Sequence, residues 1–231
     1  MDSGKARSAA VLEAGGLKIA FLAYAEPLWS VVEAGIESPG VAVLEESDIV
    51  EDLYAARKIA DLVLVSLHWG EEHKGVPRDR DRELARRLVD AGADGILGHH
   101  PHVLQGAEYY RGATILYSMG NFVFDMASPA TYDSALARLD FSELPDDESR
   151  MSGSAVQKSG PVPDPSRSRR FAAEIRFIPI RIDQSSYAPA RAAQTDAQRI
   201  LRLLQDRCAA LGTATTILED GSLRAERPKL E

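Results

Sequence analysis

The chain has 231 residues, 45% of them hydrophobic, with a formal net charge of −8 and a single cysteine. That is enough apolar material for one domain with a substantial core, while an acidic balance without a basic run excludes a nucleic-acid backbone as a natural partner, and one cysteine excludes an intrachain disulfide. No apolar run is long enough to span a bilayer, and no basic start leads through a greasy stretch to a small-residue cleavage site, so the compartment stays open.

Residues 1–16, beginning "MDSGKARSAAV", read as an exposed lead-in. "LKIAFLAYA" at 17–25 is a buried strand, followed by a loop marked by Pro27, Gly35, Pro39 and Gly40. "SDIVEDLYAARKIAD" predicts a helix. Ser47 is placed to cap it, Asp48, Glu51 and Asp52 suit its positive end, and Ile49, Leu53, Ala56 and Ala60 share a face. "LVLVSLH" is a strand whose unbroken apolar run suits a sheet covered on both faces. "RDRELARRLVDAG" is a second helix with Leu84, Ala85, Leu88 and Val89 inward and Gly92 to close it. "DGILG" and "ATILYSMG" are two further strands.

Beyond Asp125 the pattern changes. "DSALARLDF" and "FAAEIRFIPIRID" alternate apolar and polar residues as half-buried strands do, and between them residues 142–170 are too poor in hydrophobes to pack, predicting a long excursion. A helix at about 195–211, stopped by Gly212, and a hairpin turning at Asp220–Gly221 complete the chain. Cys208, on the apolar side of that helix, reads as a small buried hydrophobe. The expected organisation is a lead-in to residue 16, a domain over 17–185 and a helix–hairpin appendage over 186–231.

Alternating strands and helices predict α/β layering, in which ligands sit beyond the carboxyl ends of the strands. All five histidines, at 68, 73, 99, 100 and 102, fall on or near such ends. In an extended segment positions i and i+2 point the same way, so His100 and His102 can converge, with Pro101 stiffening the segment and His68 supplying a third ligand from the neighbouring strand. Neutral imidazoles in that arrangement suit Zn, Mn or Fe; the plainer alternative is a set of hydrogen-bonded surface histidines. His73 follows two glutamates in a polar loop and reads as solvated. His99 points away from His100 if the backbone is extended. Glu72 is either an acceptor that orients an imidazole or a solvated loop acid. Trp69 reads as packing.

Three stretches, "ADLVLVSLHWGEE", "LVDAGADGILGHHPHVLQGAEYYRGATILYSMGNFVFD" and "FIPIRID", together resemble the bacterial capsule-synthesis family called CapA, or poly-γ-glutamate synthesis proteins, within the calcineurin-like metallophosphatases. The resemblance runs from about residue 8 to about residue 185 and rests on the combination of HWG-x-E, G-x-HPHV and SMGNFVFD. It implies a sandwich of two mixed sheets flanked by helices, with two divalent ions at the strand ends of the complete domain. His68, His100 and His102 correspond to the family's metal-binding histidines and Glu72 to the glutamate of HWG-x-E. His73 stands where the family has tyrosine, and Asn121 matches the asparagine of the GNF turn. The implied catalytic residues are His68, His100 and Glu72, with His99 and Asn121 as supporting neighbours.

The family's Gly-Asp turn, Asn-x-Glu segment and Asn-Asn-His turn have no counterpart upstream of His68. The expectation is therefore the later part of a metallophosphatase domain, lacking its N-terminal strands, with a complementary N-terminal segment as partner. The implied substrate is a phosphoester or an anionic polymer, and the family's implied setting is the cell envelope. Two other readings compete: a non-catalytic assembly component, and an amidohydrolase-like barrel, which needs eight strand–helix units where about three are present.

Overall fold

A computed structural model of the chain describes residues 3–27, 32–125, 128–144 and 171–228. Among the described residues, six strands form a first sheet in the order β1 (Ala10–Ala14), β2 (Leu17–Ala25), β3 (Leu62–His68), β4 (Gly95–His99), β6 (Ala113–Leu116), β5 (Ala107–Tyr110). Strands β2, β3, β4 and β6 run parallel, and β1 and β5 close the two edges antiparallel. The crossovers are helices: α2 (Glu46–Ala56) between β2 and β3, and α3 (Asp79–Asp90) between β3 and β4. Both lie on one face of the sheet, where Ile49, Leu53, Leu88 and Val89 pack with Val63, Val65, Ile96 and Ile115.

The second sheet takes the other face. Strands β7 (Asp133–Glu143) and β8 (Phe171–Ile182) pair antiparallel along their whole length, and β9 (Pro189–Arg191), β10 (Thr215–Ile217) and β11 (Leu223–Ala225) extend the sheet. Every pairing in it is antiparallel, so only the first sheet is mixed. Leu97 and Leu116, each one residue on from a residue facing the helices, turn toward Ile175, Phe177 and the last helix, α4 (Gln194–Ala210). Ile200, Leu201, Leu204 and Cys208 form the apolar stripe that seats α4. Two sheets with α2 and α3 outside is the expected α/β sandwich.

Several local expectations are corrected. Ser47 lies inside α2; the residue before the helix is Glu45, and no side chain caps the end. The acids of the first two turns are instead partnered by Arg7, which pairs with Asp48, Glu51 and Asp52. The helix ends at Ala56, so Ala60 lies beyond it. Residues 1–16, read as a lead-in, supply a short helix, α1 (Ser3–Ala6), and β1, which turns at Gly15–Gly16, both at positive φ. Strand β5 went unread because "AEYY" is short and carries a charge. Strand β7 extends to Glu143, and residues 145–170 of the expected excursion lie outside the described residues. The C-terminal hairpin joins β8 through β11.

Gly98 in β4 carries the tightest packing near the strand ends. A Cβ there would stand 2.7 Å from the Trp69 indole nitrogen and closer still to the Tyr117 carbonyl oxygen, which themselves share a 3.2 Å hydrogen bond. Gly98→Ala is expected to lower stability by about 1–3 kcal/mol or more, the cost of overpacking a filled site, measured as a fall in the urea midpoint at unchanged slope; an unchanged midpoint would show that the neighbours move aside freely.

Candidate metal centre

The carboxyl ends of β2, β3, β4 and β6 share one rim. Register places Ala25 beside His68 and His68 beside His99. Backbone hydrogen bonds carry the alignment past the strand ends: Glu26 N–H donates to the His68 carbonyl (2.8 Å) and Trp69 N–H to that of His99 (3.1 Å). Trp69 is buried and stacks on Tyr117 at 6.1 Å, so its role is packing, as expected.

Beyond the rim the imidazoles gather. The ring centroids of His68 and His100 are 4.6 Å apart and those of His100 and His102 5.8 Å. Potential ligand atoms of Glu72, His100 and His102 all lie within 4.8 Å of one another. Glu72 rather than His68 completes this closest set, and His68 borders it through His100. His99 is half-buried at the end of β4, and His73 is exposed, as its polar loop implied. Yet the His73 N–H donates to the Pro101 carbonyl (2.8 Å), tying the loop that carries Glu72 to the turn that carries the two histidines.

The route to convergence differs from the expected one. His100 and His102 are not extended: their φ angles are +97° and +60°, and His73 sits at +63°. Left-handed backbone at residues other than glycine costs of order 1–3 kcal/mol each and clusters at sites where function holds it in place. The i, i+2 reading expected His100 and His102 to converge on an extended backbone; their rings do come within 5.8 Å, but on a left-handed one.

Burial disfavours the charged form of His68, His99 and His100. His68 and His100 are both depressed below 6.5, first by desolvation and then by a neighbouring ring, with Glu26 and Glu72 acting in the opposite sense. His99 is depressed by burial and then by His68. Neutral rings offer lone pairs. The His102 Nδ1 lies 2.7 Å from Asn121 Oδ1, an acceptor, a contact that favours a proton on Nδ1 and leaves Nε2 as the ligand nitrogen. Asn121 is itself buried, its amide donates to the Thr131 carbonyl (3.4 Å), and its carbonyl accepts from the Ser134 hydroxyl.

Glu26 is a rim residue that the sequence motifs do not single out. It accepts hydrogen bonds from Arg78 (2.8 Å), Arg80 and the Gly70 N–H (3.2 Å). Burial alone would raise its carboxyl, but the Arg78 hydrogen bond and charge carry it below the usual carboxylate range. Its place immediately after β2, one residue past the Ala25–His68 pair, was the available signal. Two imidazoles and one carboxylate, with a third imidazole adjacent, match the donor set of a divalent transition ion with a coordination position left open.

Comparison with known proteins adds a family. The family described as bacterial capsule synthesis protein PGA_cap matches residues 1–126. The PGA biosynthesis protein CapA of Bacillus subtilis (strain 168) is 45% identical over 123 residues, covering 53% of this chain and 32% of that protein. The capsule biosynthesis protein CapA of Bacillus anthracis is 41% identical over 127 residues, covering 53% and 31%. The chain thus spans about a third of the length of these curated relatives. Among solved structures, the sulfate thiohydrolase SoxB of Thermus thermophilus, in complex with glycerol, overlaps 57% of this chain and 22% of that one at 21% identity and a TM-score of 0.38.

The depressed histidines set a pH dependence. Their folded pKa values lie below 6.5, so between those values and 6.5 the unfolded chain binds more protons than the folded one. Stability should be complete above pH 6.5 and fall as the pH drops through that window. Urea midpoints at pH 7.5 and 5.0 check this, and a His99→Gln variant should show a shallower decline; higher stability at pH 5.0 than at 7.5 would contradict the depressed values.

Proposed function

The chain belongs to the bacterial capsule synthesis protein family, and from that premise we propose that it forms the histidine-bearing part of a metal-dependent phosphoester hydrolase centre serving capsule or poly-γ-glutamate synthesis. The observation that carries this reading is the set of Glu72, His100 and His102 ligand atoms within 4.8 Å of one another, on a backbone held in unfavourable φ. His100, His102 and Glu72 would hold a divalent ion such as Mn, Zn or Fe. His68, neutral beside His100, serves as a further ligand or as the group that moves a proton at the rim. Asn121 keeps the proton of His102 on Nδ1. Such an ion, when bound, polarises a phosphoryl oxygen. The substrate class is a phosphoester, or an anionic polymer such as poly-γ-glutamate.

Two ions held close together need an anionic bridge against their repulsion. The rim carboxylate Glu26 is committed to Arg78 and Arg80, and neither it nor Asp125 joins the Glu72, His100 and His102 set. We therefore assign this chain a single ion. A second would need ligands from a complementary segment, which the resemblance places in the earlier half of the family's domain. The competing role, a non-catalytic assembly component, is favoured by the same commitment of carboxylates.

Titration of the purified chain with Zn or Mn followed by calorimetry is expected to show one site. His100→Ala should abolish it, and Asn121→Leu should weaken it about 10–100-fold, as loss of an orienting neighbour does. Binding that survives His100→Ala unchanged would remove the proposed centre.

Turnover of an aryl phosphate by the chain alone is expected to be negligible, and to appear when the family's earlier half is supplied in cis or in trans. Robust metal-dependent hydrolysis by the chain alone, lost in His100→Ala, would mean that Glu26, Glu72 or Asp125 completes a two-ion site. No activity even in the completed domain would favour the assembly role.

A further inference from the structure

Three consecutive large hydrophobic residues, Phe122, Val123 and Phe124, are 54%, 69% and 42% exposed. The residue they follow is firmly held. Asn121, immediately before them, is 6% exposed and bonded through its side chain to His102 and Thr131 and through its carbonyl to Ser134. Gly120 supplies the left-handed turn, φ +72°, that brings the segment out of the rim. Exposed large apolar side chains on successive residues, following directly on a buried and hydrogen-bonded asparagine, are the kind of surface that marks an interaction site. This surface begins where the ligand cluster ends: the Phe124 ring centroid lies 4.9 Å from that of His102. Other rim groups are charged, with Glu72 in the cluster and Glu26 paired to Arg78 and Arg80.

A centre with this asymmetry suits a ligand with two unlike ends. Resting on the metal-centre reading above, we propose that the site takes an amphiphile: an anionic head group at the His100, His102 and Glu72 cluster, and a hydrocarbon chain laid over Phe124, Val123 and Phe122. The charges agree, since a divalent ion, one carboxylate and neutral imidazoles leave a net positive centre with an open position for an anionic oxygen. A phosphate monoester and a carboxylate share that head-group chemistry, and a chain of methylenes is what three adjacent apolar side chains bind without needing polar partners.

The test is calorimetric binding of methyl, butyl and octyl phosphate, below micellar concentrations, to the Zn-loaded 231-residue chain, with octanoate as a second head group. Full burial of one methylene is worth about fourfold in affinity, the equivalent of ~0.8 kcal/mol. Octyl phosphate is therefore expected to bind at least about tenfold tighter than butyl phosphate. The double variant Phe122→Ser/Val123→Ser should keep Zn affinity and bring octyl to within about twofold of butyl. Octyl phosphate and octanoate should show the same dependence on the variant, and the tighter of the two identifies the head group. Equal affinities across chain length with Zn bound overturn this inference alone and leave the apolar turn as a surface for protein. Failure of Zn itself to bind overturns the metal-centre reading, and this inference with it.

Discussion

Four parallel strands hydrogen-bonded in one register govern everything at the rim. A parallel ladder cannot slip by one residue without turning each strand's buried side chains to the opposite face, and here both faces are buried, one under α2 and α3 and the other under the second sheet. The register is thus fixed by packing far from the site, and it delivers Ala25, His68 and His99 to one level. Trp69 and Tyr117 extend that order beyond the last strand residues, so the turns carrying Glu72, His100, His102 and Asn121 start from a rigid base. The chemistry sits on loops, but the loops inherit their positions from the core.

The net charge of −8 does not describe the rim. Much of the chain's acid is already partnered: Arg7 takes three carboxylates of α2, Arg78 takes Asp81 and shares the rim residue Glu26 with Arg80, and on the second sheet Arg181 and Arg199 both pair with Asp133. Glu72 is an exposed carboxylate that the fold uses in no ion pair among the described residues. Local pairing, rather than overall composition, decides which acids are available, and it makes Glu72 the acid of the cluster.

Much of the layout was legible in the sequence because it depends on periodicity. Ile49, Leu53 and Ala56, and Ala85, Leu88 and Val89, declared helix faces, and the apolar run 62–67 declared a central strand. The rim followed from the strand-end rule, which is why His68, His100 and His102 could be grouped. What escaped was set by conformation or by distant partners. Nothing in the letters HHPH says that two of those histidines adopt positive φ, and an i, i+2 rule for extended chain has no force there. Ser47 looked like a cap, but Arg7, forty residues earlier, binds the helix start. Strand β1 carries no buried residue and so left no hydrophobic signature. The resemblance named His68 and Glu72 together; only the fold shows Glu72 in the closest set and His68 beside it.

The backbone at His100 and His102 has a consequence for how this protein would respond to selection. Glycine occupies φ of +97° or +60° without penalty, whereas histidine does not. A population chosen only for heat tolerance would drift toward glycine at both positions, and the imidazoles would be among the first features lost. Robustness of the fold and possession of the cluster pull the same two codons in opposite directions. Histidine at 100 and 102 is a choice the fold resists, and its persistence would have to be enforced from outside the folding problem.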